Sequence, residues 1–170
     1  MTTSILELHY KVSKDCIKPE LNNYTVRRFH ESDNVEALMI AYYNKYKDLG
    51  YDMGTLEQYL MIQTDLMRNN ANADYVLLAG GTPVGLLSFA SYDRESVSSV
   101  KLYNYMIDPS VPTDVQKAFV NSIIFELKDY TENIFTSCLS SDSKKLALFT
   151  DIGFTDMFKE GTYGKNYKGH

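Results

Sequence analysis

The stretch YMIDPSVPTDVQKAFVNSII, residues 105–124, combines the end of an apolar strand, a turn with two prolines and the start of a long helix. Folds that bind nucleotides or coenzymes often place a glycine-rich phosphate loop between such a strand and such a helix. The turn in this chain contains no glycine. The strand and helix of this stretch therefore indicate an α/β fold. Three interpretations of the turn are open: a phosphate site of another form, a lost phosphate site, or an ordinary connection.

Apolar patterns predict the strands around this unit. Residues 5–12 alternate apolar and polar side chains, which is typical of a half-buried strand. Residues 74–93 hold two apolar runs separated by Gly80 and Gly81, a dipeptide typical of a tight hairpin turn. Further strands are predicted at 24–29, 99–108, 133–139 and 155–163.

Helical periodicity predicts four helices. The first opens with Asp33 and Glu36, and the second with Thr55 and Gln58, both in the spacing of a capping box. The third and fourth are predicted over about 114–130 and about 143–153. The order is strand, two helices, three strands, helix, strand, helix, strand behind an extra N-terminal strand. It predicts an α/β (α+β) domain with a mixed sheet.

Composition argues against several classes of function. The chain has 170 residues, 44% of them apolar and 23% charged, as in a globular domain that is cytoplasmic by default. A net charge of −5 with scattered basic residues argues against a nucleic-acid partner. No apolar run approaches the about 20 residues of a membrane span, so no membrane association is expected. Cys16 and Cys138 are predicted to be free thiols, and no metal site is expected.

Four local motifs occur in register with these elements. They are YTVRRFHESD at 24–33, LLAGGTPVGLLSF at 77–89, YMIDPSVP at 105–112 and LALFTDIGF at 146–154. In this order and spacing they resemble the GNAT acyl-coenzyme A N-acyltransferase superfamily. The resemblance runs from about Tyr24 to Tyr163 and implies an N-terminal extension over 1–23 and a GNAT-like domain over 24–170.

The resemblance implies an acetyl-coenzyme A site around the turn after the family's fourth strand. The equivalent cofactor-facing residues are Met106, Ile107, Asp108, Thr113, Asp114, Val115, Gln116, Lys117 and Asp142. In active relatives, glycines at alternating positions let backbone N–H groups approach the pyrophosphate. Here those positions hold Thr113, Val115 and Lys117, whose side chains stand where the backbone must approach the ligand. Pro112, which has no N–H, occupies the family's basic position.

The same turn has the spacing of a capping box, formed by Thr113 and Gln116. The Thr113 hydroxyl would accept the N–H groups that a phosphate would otherwise use. Asp114, in the first turn of the helix, would repel an anion. The turn is therefore predicted to be a lost coenzyme site that an internal cap has replaced.

The catalytic positions implied by the resemblance are altered as well. The family's tyrosine in the last helix, whose hydroxyl protonates the leaving thiolate, corresponds to Phe149, and an asparagine at the start of that helix corresponds to Asp142. Transfer also needs a base to deprotonate the amine, and none is evident on the strand at 99–108. Tyr103 is a candidate catalytic residue on that strand, but its favoured interpretation is a packed aromatic side chain.

Three functions are compatible with these features. The favoured one is a catalytically inactive GNAT-fold protein, without a cofactor, that binds a protein partner or a second copy, as in an assembly such as a viral particle. The second is an active N-acetyltransferase that uses acetyl-coenzyme A through an atypical turn. The third is a binder of another small ligand in the cleft between the family's fourth and fifth strands.

The N-terminal strand has two possible roles. It completes the domain's own sheet, or it is an arm that adds to a partner's sheet. The polar, proline-containing segment KDCIKPELNN, residues 14–23, separates it from the family match and favours the arm.

Overall fold

Seven strands and four helices, in the order that the sequence predicts, make up the described part of the chain. The computed structural model describes residues 4–69, 72–92 and 98–157. The strands are β1 (Ile5–Lys11), β2 (Tyr24–Arg28), β3 (Ala73–Ala79), β4 (Thr82–Ser91), β5 (Ser99–Ile107), β6 (Asn133–Leu139) and β7 (Thr155–Asp156). The helices are α1 (Glu36–Asp48), α2 (Leu56–Arg68), α3 (Thr113–Leu127) and α4 (Ser143–Ile152). The part of the predicted last strand beyond residue 157 lies outside the described residues.

The strands form one mixed sheet in the order β2-β3-β4-β5-β6-β1-β7. Neighbouring strands are antiparallel except β5 and β6, which are parallel because α3 crosses over between them. The predicted α/β class with a mixed sheet is confirmed. Within the described ranges, none of the helices has both the length and the apolar character that crossing a bilayer requires.

Each face of the sheet carries its own apolar core, because successive strand residues point to opposite faces. On one face α3 and α4 pack on residues such as Leu77, Leu87 and Tyr105. On the other face α1 and one side of α2 pack on Val76, Leu86 and Met106. The two pairs of helices therefore lie on opposite sides of the sheet.

Glycines meet two different structural requirements in the β3–β4 hairpin. Gly80 and Gly81 have φ angles of 56° and 84°, so the β3–β4 connection is the tight turn that the sequence predicts. Gly85, in the hairpin motif, lies where α3 crosses the sheet. A Cβ atom there would be 3.1 Å from the Phe119 ring and 2.9 Å from Ile107 Cδ1. Close approach of α3 therefore requires a small residue at this position.

The helix caps only partly follow the sequence predictions. The capping box at α2 is confirmed, because Gln58 N–H donates to Thr55 Oγ1 at 3.2 Å and Thr55 N–H donates to Gln58 Oε1 at 3.4 Å. The box predicted at α1 is wrong. Its N-cap residue is Val35, and Asp33 instead accepts both guanidinium N–H groups of Arg27 at 2.8 Å.

The interpretation of β1 as an arm is wrong. β1 pairs antiparallel with β6 along its whole length, from Ile5 opposite Leu139 to Lys11 opposite Asn133, and β7 pairs with its other edge. Leu8, at its centre, is 1% exposed and belongs to the core under α3 and α4. The strand completes the domain's own sheet because its apolar face buries there and its two edges find partners within the chain.

Replacing Leu8 by Ala should lower the free energy of unfolding by about 2–5 kcal/mol, the usual cost of truncating a buried leucine. The matched control is Ile5→Ala on the same strand. Ile5 is 55% exposed, so its loss should change stability by no more than about 0.5 kcal/mol. Urea unfolding of both variants measures the difference. Equal, small effects at both positions would mean that β1 does not contribute to the core.

Candidate functional site

A gap opens in the centre of the sheet where β5 and β6 separate. Their parallel pairing ends at Leu102 opposite Thr136, whereas β5 continues to Ile107 and β6 to Leu139. The two strands therefore diverge in a V over their C-terminal halves. In an α/β sheet, ligands bind at such a point, beyond the carboxyl ends of parallel strands.

Side chains from both faces of the sheet meet in this gap. Asp142 is the N-cap residue of α4, and its carboxylate accepts the backbone N–H of Lys145 at 3.3 Å. It also accepts the Tyr46 hydroxyl at 2.7 Å and lies 3.1 Å from the Lys45 ammonium. Lys45 and Tyr46 belong to α1, so these contacts join helices on opposite faces. We call the set of Lys45, Tyr46 and Asp142 the Asp142 bridge.

The charges of the Asp142 bridge are set by burial and by its own contacts. Burial raises the pKa of the Asp142 carboxyl. The Tyr46 hydroxyl and the Lys45 ammonium together lower it by more than burial raises it, so the pKa lies below its usual value. Burial, together with Tyr42 and the Asp142 carboxylate, raises the pKa of Tyr46. Asp142 is therefore ionised at neutral pH, and Tyr46 is a protonated donor to it.

Lys145 occupies the gap beside this bridge. Its side chain is buried, with 6% of the residue exposed, and its ammonium donates to the Ser137 carbonyl of β6 at 2.8 Å. Separation of the strands has left that carbonyl without a β5 partner, and the ammonium satisfies it. Burial lowers the pKa of Lys145, against the opposing effects of Cys138 and Asp142.

Two cavities lie on either side of these groups. The β5-end cavity, of about 240 Å³, lies at the carboxyl end of β5 and is lined by Tyr105, Met106, Ile107, Gln116, Lys144 and Lys145, among others. The tyrosine cavity, of about 600 Å³, lies under α2 and is lined by Tyr42, Tyr46, Tyr51, Tyr59, Tyr103 and Lys145, among others. Lys145 and Tyr42 line both cavities and stand between them.

The tyrosine cavity contains polar atoms that lack partners among the described residues. The Tyr59 hydroxyl is buried without a hydrogen bond there, and so is Oε2 of Glu7. The other Glu7 oxygen accepts from Ser137 at 2.7 Å and from Lys101 at 3.5 Å. Burying a polar group without a partner costs about 1–3 kcal/mol, so both atoms favour an occupant that offers hydrogen bonds.

The predicted cap on α3 is wrong. The N-cap residue is Pro112, and no side chain bonds to the helix end there. Thr113 is the first helical residue, one position too late for a cap. Gln116 does not reach back to it, because its amide donates to the Val111 carbonyl at 2.9 Å and accepts the Tyr105 hydroxyl at 3.1 Å. An internal cap therefore does not replace a ligand at this turn.

Only some of the predicted cofactor residues meet at one place. Met106, Ile107 and Gln116 line the β5-end cavity. The others do not line it; they are Asp108, Thr113, Asp114, Val115, Lys117 and Asp142.

Three of the residues at the turn after β5 have contacts of other kinds. Asp108 accepts from Ser110 within the turn. Val115 packs on the core under α3 and α4. Lys117 forms an ion pair with Asp151 of α4 at 2.9 Å. Two of the three positions where relatives have glycines, Val115 and Lys117, thus carry side chains that contribute to packing and to an ion pair.

Phe149 and Tyr103, the two positions considered for catalysis, differ in their exposure to solvent. Phe149 is fully buried, with its ring edge-on to Tyr105 at 5.5 Å and to Phe154 at 5.1 Å between centroids. It packs in the core and has no proton to donate. The interpretation of Tyr103 as a packed aromatic is wrong, because it is 46% exposed where β5 has left β6, and it lines the tyrosine cavity.

Several site residues could not be predicted from sequence patterns. Lys45 and Tyr46 lie in α1, and their partner Asp142 lies at the start of α4 on the other face of the sheet. Lys145 lies in α4, and its partner is the Ser137 carbonyl of β6. Both cysteines are free thiols, as predicted, and Cys138 is buried in the wall of the tyrosine cavity. Among the residues that the structure describes, no group of three acidic, histidine or cysteine side chains is arranged to hold a metal ion.

A separate groove of about 680 Å³ runs between the start of α1 and the end of α2. Its apolar lining consists of Phe29, Val35, Met39, Leu60, Met61 and Met67, and its acidic lining of Glu31, Asp33, Glu36 and Asp65. Asp33 is neutralised by Arg27, and the hydrogen bond from that guanidinium lowers the pKa of its carboxyl to about 2. We call this surface the α1–α2 groove.

The α1–α2 groove exists because α2 packs weakly. Tyr59 is its one fully buried residue within the described part of the chain, and Leu56, Leu60 and Met67 are only partly buried against the same core. Met61 and Ile62 are 59% and 54% exposed. An amphipathic helix with this much apolar surface open to solvent is typical of a contact surface.

Comparisons with known proteins find similarity of fold but not of sequence. No protein-family model matches the chain, and no curated protein matches it. A GNAT family acetyltransferase from Elizabethkingia anophelis, solved with acetyl-CoA bound, superposes with a TM-score of 0.56 at 13% identity, over 83% of this chain and 86% of that one. An aminoglycoside acetyltransferase from an uncultured soil metagenomic sample, in complex with sisomicin, has a TM-score of 0.57 at 15% identity, over 78% and 88%.

Some similar structures are longer than this chain. A tandem GNAT protein from the clavulanic acid biosynthesis pathway has a TM-score of 0.59 at 8% identity, over 89% of this chain and 50% of that one. The chain spans 58% of the length of a functionally unknown conserved protein from Staphylococcus epidermidis, with a TM-score of 0.57 at 10% identity. These likenesses show the fold: the chain has the GNAT fold, as its motifs imply.

Proposed function

We propose that this GNAT-fold chain does not transfer acetyl groups and that it acts by binding another protein. The observation that carries the proposal is the occupation of the gap between β5 and β6 by the Asp142 bridge and Lys145. Transfer needs the thioester and the acceptor amine to meet at one point. With the gap occupied, the β5-end cavity and the tyrosine cavity are separated by protein side chains.

The size of the β5-end cavity supports the same conclusion. Its volume of about 240 Å³ falls below the about 300–1,000 Å³ of ordinary small-molecule sites, and a coenzyme is a large ligand. Enlarging it would require Lys145 to leave the Ser137 carbonyl or Lys45 to leave Asp142. Either change would expose or strand a buried polar group, which is costly.

The turn before α3 supports it independently of the predicted cap. Pro112 has no N–H to offer a phosphate, and Val115 and Lys117 are committed to contacts within the protein. Asp114 adds a negative charge in the first turn of the helix. A pyrophosphate would therefore meet fewer donors and more repulsion here than at a glycine-rich turn.

Acetyl-coenzyme A should not bind measurably at sub-millimolar concentration. A ligand at about 100 times its dissociation constant would stabilise the fold by about 2.7 kcal/mol and raise the melting temperature by several degrees. Isothermal titration calorimetry and thermal melts, with desulfo-coenzyme A and ATP as controls for the thiol and the nucleotide, measure this. A melting shift specific to acetyl-coenzyme A would favour the second function, an active N-acetyltransferase, and would defeat the lost-site proposal.

We assign the α1–α2 groove as the surface for the partner, a basic amphipathic helix of another protein. Methionine and leucine side chains adapt to varied apolar surfaces, and an amphipathic helix buries its apolar face in such a groove. The carboxylates of Glu31, Glu36 and Asp65 have no ion-pair partner among the described residues, and Arg68 is the single cation lining the groove there. Charge complementarity therefore favours a partner with lysines or arginines beside its apolar face.

A designed helical peptide with leucines on one face and lysines beside them should bind saturably, and charge reversal in the groove should weaken it at least about tenfold, a loss of about 1.4 kcal/mol. The test variant is Glu36→Lys with Asp65→Lys. The control is Asp48→Lys with Glu57→Lys, which makes the same change in net charge on the same two helices outside the groove. Fluorescence anisotropy measures both.

Equal weakening in the two variants would mean that the peptide responds to net charge alone, and the groove assignment would fail. Sedimentation of the protein by itself provides the second control. Self-association that the groove variant abolishes and the control variant keeps would assign the groove to a second copy of this chain instead. Neither result depends on whether the protein binds acetyl-coenzyme A. The absence of acetyl transfer and the binding of a partner are therefore tested separately.

A further inference from the structure

Lys145 carries a primary amine that binding of a protein partner does not require. Its Nζ atom lies in the gap between β5 and β6, and its side chain lines both cavities. The Ser137 carbonyl is the one hydrogen-bond acceptor that the structure gives this ammonium within the described residues, at 2.8 Å. An amine buried between two cavities, with a single acceptor, is a candidate nucleophile.

The surroundings of Lys145 disfavour its protonated form. It lies in the first turn of α4, where the positive end of the helix dipole opposes a cation. Burial and the ammonium groups of Lys45 and Lys101 lower its pKa, whereas Cys138 and Asp142 raise it. Asp142 is itself shared with Lys45 at 3.1 Å and with Tyr46 at 2.7 Å, so its charge is largely balanced without Lys145.

The tyrosine cavity offers both room and a complementary donor. Its volume of about 600 Å³ is within the range of small-molecule sites. The Tyr59 hydroxyl is a buried donor without an acceptor among the described residues, and burial raises its pKa, so it keeps its proton. A carbonyl oxygen that enters the cavity could accept from this hydroxyl until the reaction releases that oxygen as water. The aromatic walls favour an apolar substituent on the ligand.

We propose that Lys145 is a covalent binding site for a small apolar aldehyde or ketone, which enters the tyrosine cavity and forms an imine with Nζ. The neutral amine attacks the carbonyl carbon and gives a carbinolamine. The carbinolamine then expels its oxygen as water, which carries away the two hydrogens of the amine. A C=N bond replaces the C=O bond, and no oxidant or reductant takes part.

The neighbouring lysines are poorer sites. Lys45 is ion-paired with Asp142, and Lys101 lies 3.5 Å from a Glu7 oxygen. Lys144, the preceding residue of the helix, is exposed at the edge of the β5-end cavity and does not line the tyrosine cavity. It is therefore the internal reference for the reactivity of Lys145. The competing role for Lys145 is a purely structural one, in which it only fills the gap and bonds to Ser137.

The test uses benzaldehyde as the probe with the wild-type protein. The protein is incubated at neutral pH with substoichiometric to equimolar benzaldehyde and sodium cyanoborohydride, which reduces an imine to a stable amine. Fragment-ion mass spectrometry then resolves adducts at Lys145 and Lys144. Burial lowers the pKa of Lys145 and so increases the fraction of its amine that is neutral and reactive. We expect Lys145 to be labelled at least about tenfold faster than Lys144, a difference of about 1.4 kcal/mol in activation free energy, and the preference to vanish in urea.

The dependence on pH separates a reactive amine from a structural one. Labelling of Lys145 should level off at a pH below the usual value for a lysine, because burial lowers its pKa. Lys145→Met should lose the preferred adduct, and Lys144→Met should keep it. If Lys145→Met does not fold, the labelling rates of Lys145 and Lys144 in the wild-type protein still show whether Lys145 is the preferred site. Labelling of Lys144 and other surface lysines with Lys145 unmodified would overturn the proposal, and so would equal rates at Lys144 and Lys145.

Discussion

The hydrogen bond between Tyr46 and Asp142 is the contact on which the centre of this structure depends. It joins α1 to α4 through a sheet that otherwise keeps them apart, and it can do so only where β5 and β6 have separated. A buried carboxylate is costly without partners, and here Tyr46, Lys45 and the first turn of α4 all bind the same side chain. The side chains of the Asp142 bridge thus fill the gap between β5 and β6 and separate the tyrosine cavity from the β5-end cavity.

The same constraint determines which side chains occupy the centre of this fold. The GNAT fold supplies the diverging strands, and a fold alone does not determine chemistry. In this chain the gap is filled by charged and polar side chains that satisfy one another, and at the start of α3 Val115 packs in the core and Lys117 forms an ion pair with Asp151. Within the described ranges, the tyrosine cavity and the α1–α2 groove are open to ligands or partners, and both lie on the side of the sheet that α2 covers incompletely.

Periodicity along the chain was enough to predict every described strand and helix in order, because alternation and helical stripes are local properties. The caps at Asp33 and Thr113 were wrong, since Arg27 captures the first side chain and α3 begins one residue too early for the second. The separation of β1 from the motif region suggested an arm. Instead β1 pairs with β6, more than a hundred residues away in the sequence, and so belongs to the domain's own sheet. Asp142 was singled out from its position alone. Its partner Tyr46 lies 96 residues away, and no sequence pattern joins them.

A double-mutant cycle between Tyr46 and Asp142 tests the bridge most directly. Tyr46→Phe removes only the hydroxyl, and Asp142→Ser removes the carboxylate while keeping an oxygen that can cap α4. The free energies of unfolding of the wild type, both single variants and the double variant give the coupling. Residues joined by a buried, charge-assisted hydrogen bond should couple by about 1–3 kcal/mol. Additive effects, to within about 0.5 kcal/mol, would mean that no bridge joins the two faces across the gap, and would contradict the account.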